Sequence, residues 1–503
     1  MLDATHRSTV ADVLHRSARR VPGRPALVFA ERTWTYADLD DAVSRVAVHL
    51  LDLGLAKGDR VAAFGKNSDA YVIGFLACCR AGLVHVPMNN QFTAREAGHV
   101  LRQSEARVTL VDPSMRAIVE EAEGCPATIL PLRDAEGSLL DVARSGEVPE
   151  VAVEVTDSDL AQLLYTSGTT SAPKGAMMSH RALVHEYVSA VVALDVTEDD
   201  APLHVMPLYH SAQMHVFLLP WLAVGATNTL LETPDPTEIL RRLEAGSHGA
   251  FFAAPTLWVA LANHPDLETR DLSALRKAYY GAAIMPGPVL TRLQETLPDL
   301  GFYNCFGQSE IAPLATVLRP EEHAARPSST GRPVLFVELR VVDIQGRDVA
   351  PGERGEVVYR SPQLCDGYWG RPEETDAAFR DGWFHSGDLA VQDEEGYLTI
   401  VDRVRDVINT GGVLVAPREV EDVLYAHPAV AEVAVVGIPD DKWGEAVYAF
   451  VVPRPGSDVD EDTLREHARA NLATFKIPKQ IRLLDALPRN ASGKILKREL
   501  REG

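Results

Sequence analysis

The chain has 503 residues, too many for a single hydrophobic core, so two or more domains are expected. Hydrophobic residues make up 46% and charged residues 24%, an ordinary globular balance, and the formal net charge of −22 argues against a broad basic surface for nucleic acid. Five scattered cysteines (Cys78, Cys79, Cys125, Cys305, Cys365), odd in number and without a CxxC pair, suit a reducing cytosol and disfavour a disulfide framework or a zinc site.

The first twenty residues are polar and lack the apolar stretch of a signal peptide. Residues 60–64 read as a strand, 70–80 as a buried helix, 84–87 as extended and 93–103 as a helix. This alternation predicts α/β layers with largely parallel sheets. At 163–175 an apolar strand runs into a loop of small hydroxyl residues with Gly168, Gly175 and one lysine, Lys174. Phosphate oxygens want short donors: backbone N–H groups that glycine lets come close, hydroxyls and an ammonium. The loop supplies all three, but Lys174 precedes Gly175, so the spacing is not that of a Walker A loop. The most apolar window, 214–226, is broken by Pro220 and falls short of the ~20 residues of a bilayer span, so it reads as a buried helix. No integral membrane contact is expected.

From about 334 the pattern turns β-rich, with strands at 339–342, 355–360 and 397–401 joined by Gly/Pro/Asp turns. After 402 an α+β pattern follows: a helix at 417–425, strands at 430–436 and 447–452, and a helix at 461–472. The expected fold is α/β: a large multi-layer N-terminal domain (1–402) with parallel sheets and a small β-rich unit at about 334–402, then a small mobile α+β C-terminal domain (403–503). The short charged segment 402–406 is a candidate hinge.

The loop TSGTTSAPKG at 166–175 closely resembles the signature of the adenylate-forming enzymes: acyl-CoA synthetases, aryl-CoA ligases, peptide-synthetase adenylation domains and firefly luciferase. Further segments resemble that family in order along nearly the whole chain. Ser171 stands where the family usually has Gly. The resemblance assigns Thr166, Ser167, Gly168, Thr169, Thr170 and Lys174 to ATP phosphates. In the segment NCFGQSE (304–310) it gives Asn304 to the adenine amino group, Phe306 and Gly307 to the purine face, Ser309 to the α-phosphate and Glu310 to Mg²⁺. A carboxylate holding a hard cation offsets phosphate charge, which fits that role. Gly281 and Ala282 would pass the other face of adenine, Asp388 would hold the ribose hydroxyls, and Arg403 would reach ribose or phosphate. The family's catalytic-lysine loop is matched by NASGKILK (490–497), which makes Lys494 the best single candidate for catalysis.

For the acyl group the same resemblance implies a pocket wall from His210, Gln213, His215, Gly281, Ala282, Ala283 and Ile311. Arg405 falls at the family's hinge. Gly411 and Gly412 would flank the pantetheine tunnel, although Val413 and Leu414 replace the usual Glu-Asn. Trp443, Phe475 and Lys479 would contact coenzyme A.

The implied activity is that of a cytoplasmic AMP-forming acyl-CoA synthetase using ATP, Mg²⁺ and CoA. It converts a carboxylic acid to an acyl-adenylate and then to a thioester, with a large apolar acid preferred: a fatty acid or a bulky ring-bearing carboxylate, in lipid or secondary metabolism. Alternatives remain open at this level: a specialist that thioesterifies a preformed acyl-adenylate, a ligase that loads an acyl-carrier protein, a luciferase-like oxygenase, and a non-enzymatic ATP sensor. A homodimer is left open as well.

Overall fold

The structure, a computed structural model, describes residues 6–166, 173–283, 285–403, 406–410, 413–440, 443–489 and 495–502, with backbone alone for Arg403, Leu414 and Glu502. Its larger part rests on two α/β sheets. One runs in the spatial order Thr128–Pro131, Val108–Val111, Arg60–Phe64, Val84–Pro87, Leu160–Thr166, Lys174–Ser179, parallel except for the last pairing. Its inner strands are runs of Val, Ala and Leu buried on both faces, as a parallel sheet between helix layers requires. The helix expected at 70–80 spans Asp69–Ala81 and starts where the Ser68 hydroxyl accepts the Tyr71 N–H. The helix expected at 93–103 is Ala94–Ser104, opened by a reciprocal cap between Thr93 and Glu96.

The second sheet has nine strands. Five consecutive parallel pairings link Gly301–Phe306, Lys277–Gly281, Ala250–Ala253, Leu203–His204, Asn228–Leu230 and Pro25–Phe29. Antiparallel strands close both edges. The apolar stretch near 214–226 is a π-helix, Ala212–Leu218, that passes into the α-helix Leu219–Val224 with Pro220 in its first turn.

The β-rich unit is a five-stranded sheet from Glu338–Val342 to Leu398–Arg403. It includes Trp383–Gln392, a ten-residue strand that contains Ser386, Gly387 and Asp388. Gly387 takes a positive φ of 70° and the ladder bulges beside it, so the strand absorbs the turn-like residues. Beyond it, strands Ile408–Thr410, Val413–Val415, Val430–Asp440, Gly444–Pro453 and Gln480–Leu483 form a separate sheet packed with helices Pro417–Tyr425 and Glu461–Asn471. Apolar core clusters divide at the same place. Those built around Val43, Phe217, Trp258 and Phe64 hold no residue beyond 398, and those around Val435 and Phe450 none before 408. Among the described residues no helix is long and apolar enough to cross a membrane.

Candidate active site

In open α/β sheets ligands bind beyond the carboxyl ends of strands, where the strand order reverses. In the nine-stranded sheet the reversal lies between Leu203–His204 and Ala250–Ala253, and in the six-stranded sheet around Arg60–Phe64. Asn67, just past Phe64, joins the two ends. Its amide donates to Met206 O (2.9 Å) and Leu231 O (3.1 Å), and its oxygen accepts the Leu208 N–H (2.8 Å). The carboxyl ends of both sheets therefore face one region, which the 205–211 segment enters.

Thr166 and Lys174 pair across the antiparallel hairpin that ends the six-stranded sheet. Ser167, Gly168, Thr169, Thr170 and Ser171 between them lie outside the described residues. A strap formed by 365–369 binds the hairpin: Met177 N donates to Gly367 O (2.9 Å), Asp366 N to Met177 O (2.9 Å) and Trp369 N to Gly175 O (2.8 Å). Gln103 donates to Trp369 O (2.6 Å) and accepts the Tyr165 hydroxyl. The Tyr165 ring stacks where a Cβ on Gly175 would reach, 3.2 Å away.

Tyr368 connects the loop to Glu310. Its hydroxyl donates to Glu310 Oε1 (3.1 Å), and the Lys174 ammonium lies 5.3 Å from its ring centroid. Glu310 is 8% exposed, and among the described residues neither it nor Lys174 has an ion-pair partner. A nearly buried carboxylate with one neutral donor is a fit for a hard divalent cation shared with phosphate oxygens. Among the described residues no cluster of three or more His, Cys, Asp or Glu could hold a metal by itself.

Asn304 lies in the strand Gly301–Phe306, with its amide donating to Ser329 O (3.0 Å). The next residues turn sharply, and a Cβ on Gly307 would sit 1.9 Å from Pro313 O, so only glycine fits. Ser309 opens a short 3₁₀ turn, Ser309–Ile311, and its hydroxyl meets that of Ser211 at 3.1 Å. Phe306 is half-buried. Gly281 ends the neighbouring strand with a Cβ position 2.2 Å from Cys305 O; exposed Ala282, at φ 64°, and Ala283 follow. The structure thus brings Lys174, Ser309 and Glu310 together through Tyr368 and Ser211.

The acyl-wall residues divide. His210 is half-buried at the entrance to the π-helix, and Ala282 and Ala283 are exposed. Gln213, His215 and Ile311 lie in the interior, at 1%, 0% and 0% exposure. The Gln213 oxygen accepts the Met206 N–H (3.0 Å) and its amide donates to His204 Nδ1 (3.0 Å). His215 accepts the Tyr187 hydroxyl at Nδ1 (3.0 Å) and donates from Nε2 to Gln162 (2.7 Å), whose amide donates to His85 Nδ1 (3.0 Å). Burial holds His85 and His215 neutral, with pKa values pushed down to about 3, and His204 to about 4. Gln213 and His215 therefore spend their polarity on packing the walls together, which leaves His210 and the alanines as the open surface.

Asp388, 3% exposed, sits opposite Arg403 in the strand ladder, and its N–H donates to the Ser386 hydroxyl (3.0 Å). The Arg403 side chain, Arg405, Gly411, Gly412 and Lys494 lie outside the described residues. In the C-terminal part, Trp443 and Phe475 are exposed, with Lys479 5.1 Å from the Trp443 ring and Lys476 5.5 Å from that of Phe475.

Sequence reasoning missed Tyr368, Gln363 and Glu186. The only local signal for Tyr368 was an aromatic pair between glycines, Gly367-Tyr368-Trp369-Gly370.

Comparison with known proteins gives a concordant result. Residues 14–369 match the family model for AMP-binding enzymes and residues 419–494 that for the AMP-binding enzyme C-terminal domain. The chain is 39% identical to a feruloyl-CoA synthase from an Amycolatopsis species over 97% of each protein. It is 36% identical, over 98% of each, to an octahydroindenyl-propanoyl:CoA ligase of Mycobacterium tuberculosis. The ATP-bound crystal structure of MatB from Rhodopseudomonas palustris superposes with a TM-score of 0.90 at 32% identity, over 98% of each chain.

Proposed function

The chain belongs to the AMP-binding enzyme family and is an ATP-dependent acid–CoA ligase, and from that premise we propose how its residues divide two consecutive steps and which acid they take. A carboxylate is a poor acyl donor because its leaving group would be oxide. Joining it to AMP supplies a phosphate leaving group, but the attack brings two anions together, so positive charge must be prearranged where negative charge gathers. In this reading Lys174 and Lys494 supply fixed cations to the phosphates. Glu310 is the residue that would hold Mg²⁺, whose part is to neutralise phosphate charge. The observation that carries the reading is that Tyr368 contacts both the buried carboxylate of Glu310 and the ammonium of Lys174.

The acid is a large, predominantly apolar carboxylate, a fatty or ring-bearing one. Small, exposed Ala282 and Ala283 support this, as do two relatives named for ring-bearing acids. After pyrophosphate leaves, the C-terminal domain, residues 403–503, pivots about Arg405. Gly411 and Gly412 then replace Lys494 at the adenylate, and the exposed Trp443, Phe475 and Lys479 hold CoA while its thiol displaces AMP. The carrier-protein alternative finds less support, because that patch pairs flat rings with cations, which suits a nucleotide end bearing phosphates.

The test separates the half-reactions. Lys494→Ala should cost about 10²–10³ in pyrophosphate release, the usual effect of removing one preorganised charge. It should still convert a synthetic acyl-adenylate to acyl-CoA. Loss of both activities would sink the two-state reading. A wild-type protein that consumes acyl-adenylate but releases no pyrophosphate with any acid would instead be the half-reaction specialist.

A further inference from the structure

The turn that carries Ser309 and Glu310 is held from behind by two buried side chains that no family motif above includes. Gln363 is fully buried and uses its amide completely. Its Nε2 donates to Glu186 Oε2 (2.6 Å) and Leu314 O (3.1 Å), with a longer approach to Ile311 O (3.4 Å), and its oxygen accepts the Ser189 hydroxyl (2.6 Å). Glu186, also fully buried, accepts the Leu314 N–H at Oε1 (3.3 Å). Among the described residues it has no cation beside it. Both sides of the Leu314 peptide and the carbonyl of Ile311 are thus taken by this pair. Two residues past Gln363, Cys365 N donates to Glu310 O (2.8 Å), and three further on Tyr368 donates to the Glu310 carboxylate. One stretch, 363–368, therefore grips the 310–314 turn by its backbone and by its functional side chain.

From this the geometry points to Glu186 and Gln363 as positioning residues for Glu310: a buried acid–amide pair that fixes where the metal-binding carboxylate stands, without touching substrate. The inference rests on the reading of Glu310 given above. Glu186 answers the requirement for an acceptor facing two donors at once. A glutamine there would turn its NH₂ toward that of Gln363 or toward the Leu314 N–H, and one donor would go unpaired in the interior. Burial pushes the Glu186 carboxyl well above the usual range, while the hydrogen bond from the Leu314 N–H works in the opposite direction. Groups that orient a metal ligand through hydrogen bonds typically change metal affinity by about 10–100-fold when altered.

The experiment exchanges the pair. Glu186→Gln puts two amide donors face to face, and Gln363→Glu puts two acids face to face and removes the donors to Leu314 and Ile311. The double exchange restores an amide–acid contact with its sense reversed. ATP binding is measured by calorimetry without the acid, once with Mg²⁺ and once with EDTA, so no turnover enters. Each single variant should lose about tenfold or more of the Mg²⁺-dependent gain in ATP affinity while the EDTA affinity stays put, and the double variant should regain most of it. Acyl-CoA formation from supplied acyl-adenylate should move less than about twofold. Ser189→Ala, which only unpins the Gln363 oxygen, is the milder variant if a single exchange fails to fold; a shift of about threefold is expected. Glu310→Gln runs alongside. If it leaves the Mg²⁺ gain intact, the metal reading of Glu310 falls. If it abolishes the gain while the exchanged pair and Ser189→Ala leave it untouched, or lower both arms equally, the positioning inference falls alone.

Discussion

The candidate site in the larger part of the molecule and the aromatic patch in the C-terminal part handle charge in opposite ways. Around Glu310 one carboxylate is wrapped by protein, and Tyr368 meets both it and the Lys174 ammonium. On the patch, exposed Lys479 lies near the exposed ring of Trp443, and half-buried Lys476, paired with Glu419, lies near the exposed ring of Phe475. Between Arg465 and Arg501 the chain carries ten Lys and Arg against three Asp and Glu, although its overall charge is −22. A wrapped charge acts in a medium of low effective dielectric and has few ways to be replaced. An exposed one is screened and is one contributor among several. The difference teaches where substitutions should be costly and where they should be graded.

The largest effect is expected at the wrapped group. Glu310→Gln keeps the shape and the Tyr368 hydrogen bond but removes the charge, and should lower pyrophosphate release by about 10²–10³. A rate unchanged across a magnesium titration would erase the contrast by taking Glu310 out of the metal site. At the patch, Trp443→Ala should raise the KM for CoA by about three- to tenfold, the scale of one exposed cation–π and stacking contact. Pyrophosphate release in the absence of CoA should not change. A fall in that first step as large as for Glu310 would show that the patch is not a separate docking surface.

These two regions were legible in the sequence to different depths. Glu310 and Lys174 were found because each sits in a contiguous motif. The Tyr368 hydroxyl that completes the site comes from 58 residues further on, and the Glu186–Gln363 contact spans 177 residues. No local period encodes such pairings. Elements followed the same logic. The helix at 417–425 was read correctly because its apolar face repeats at helical spacing, and the structure has it at Pro417–Tyr425. The strand read at 430–436 runs to Asp440, since the ladder with Gly444–Pro453 continues through Gly437 and Pro439 without any alternation of apolar residues. Ser-Gly-Asp at 386–388 is turn chemistry taken by itself, whereas two neighbouring strands hold 383–392 extended. Gln213 and His215 were read as pocket wall from motif position alone; only the contacts with His204, Met206, Tyr187 and Gln162 reveal that they face inward.

The smallest expected effect tests the wrapped character of the larger part through its histidines. His85, His180, His204 and His215 are all buried there, with pKa values pushed down to between about 3 and about 4 by loss of solvent. A histidine whose folded pKa lies below its unfolded value binds its proton only when the chain unfolds. Between pH about 6.5 and about 4 the unfolded state then holds more protons, so stability falls as the pH drops through that window and is fully present above it. His180 is the cleanest probe. Its Nδ1 accepts the Val10 N–H (3.2 Å), while its Nε2 has no hydrogen-bond partner among the described residues. His180→Asn can offer an amide oxygen to Val10 and removes the titrating group. At neutral pH its stability should stay within about 1 kcal/mol of wild type. Below pH 6.5 it should lose stability more gently, by one proton's worth or about 1.4 kcal/mol per pH unit, so that near pH 4 it retains on the order of 3 kcal/mol relative to the wild-type decline. Denaturant titrations at pH 7, 6, 5 and 4 measure this directly. Parallel curves for the two proteins would mean that His180 takes up its proton while folded, and that this part of the interior is more open to water than its packing implies.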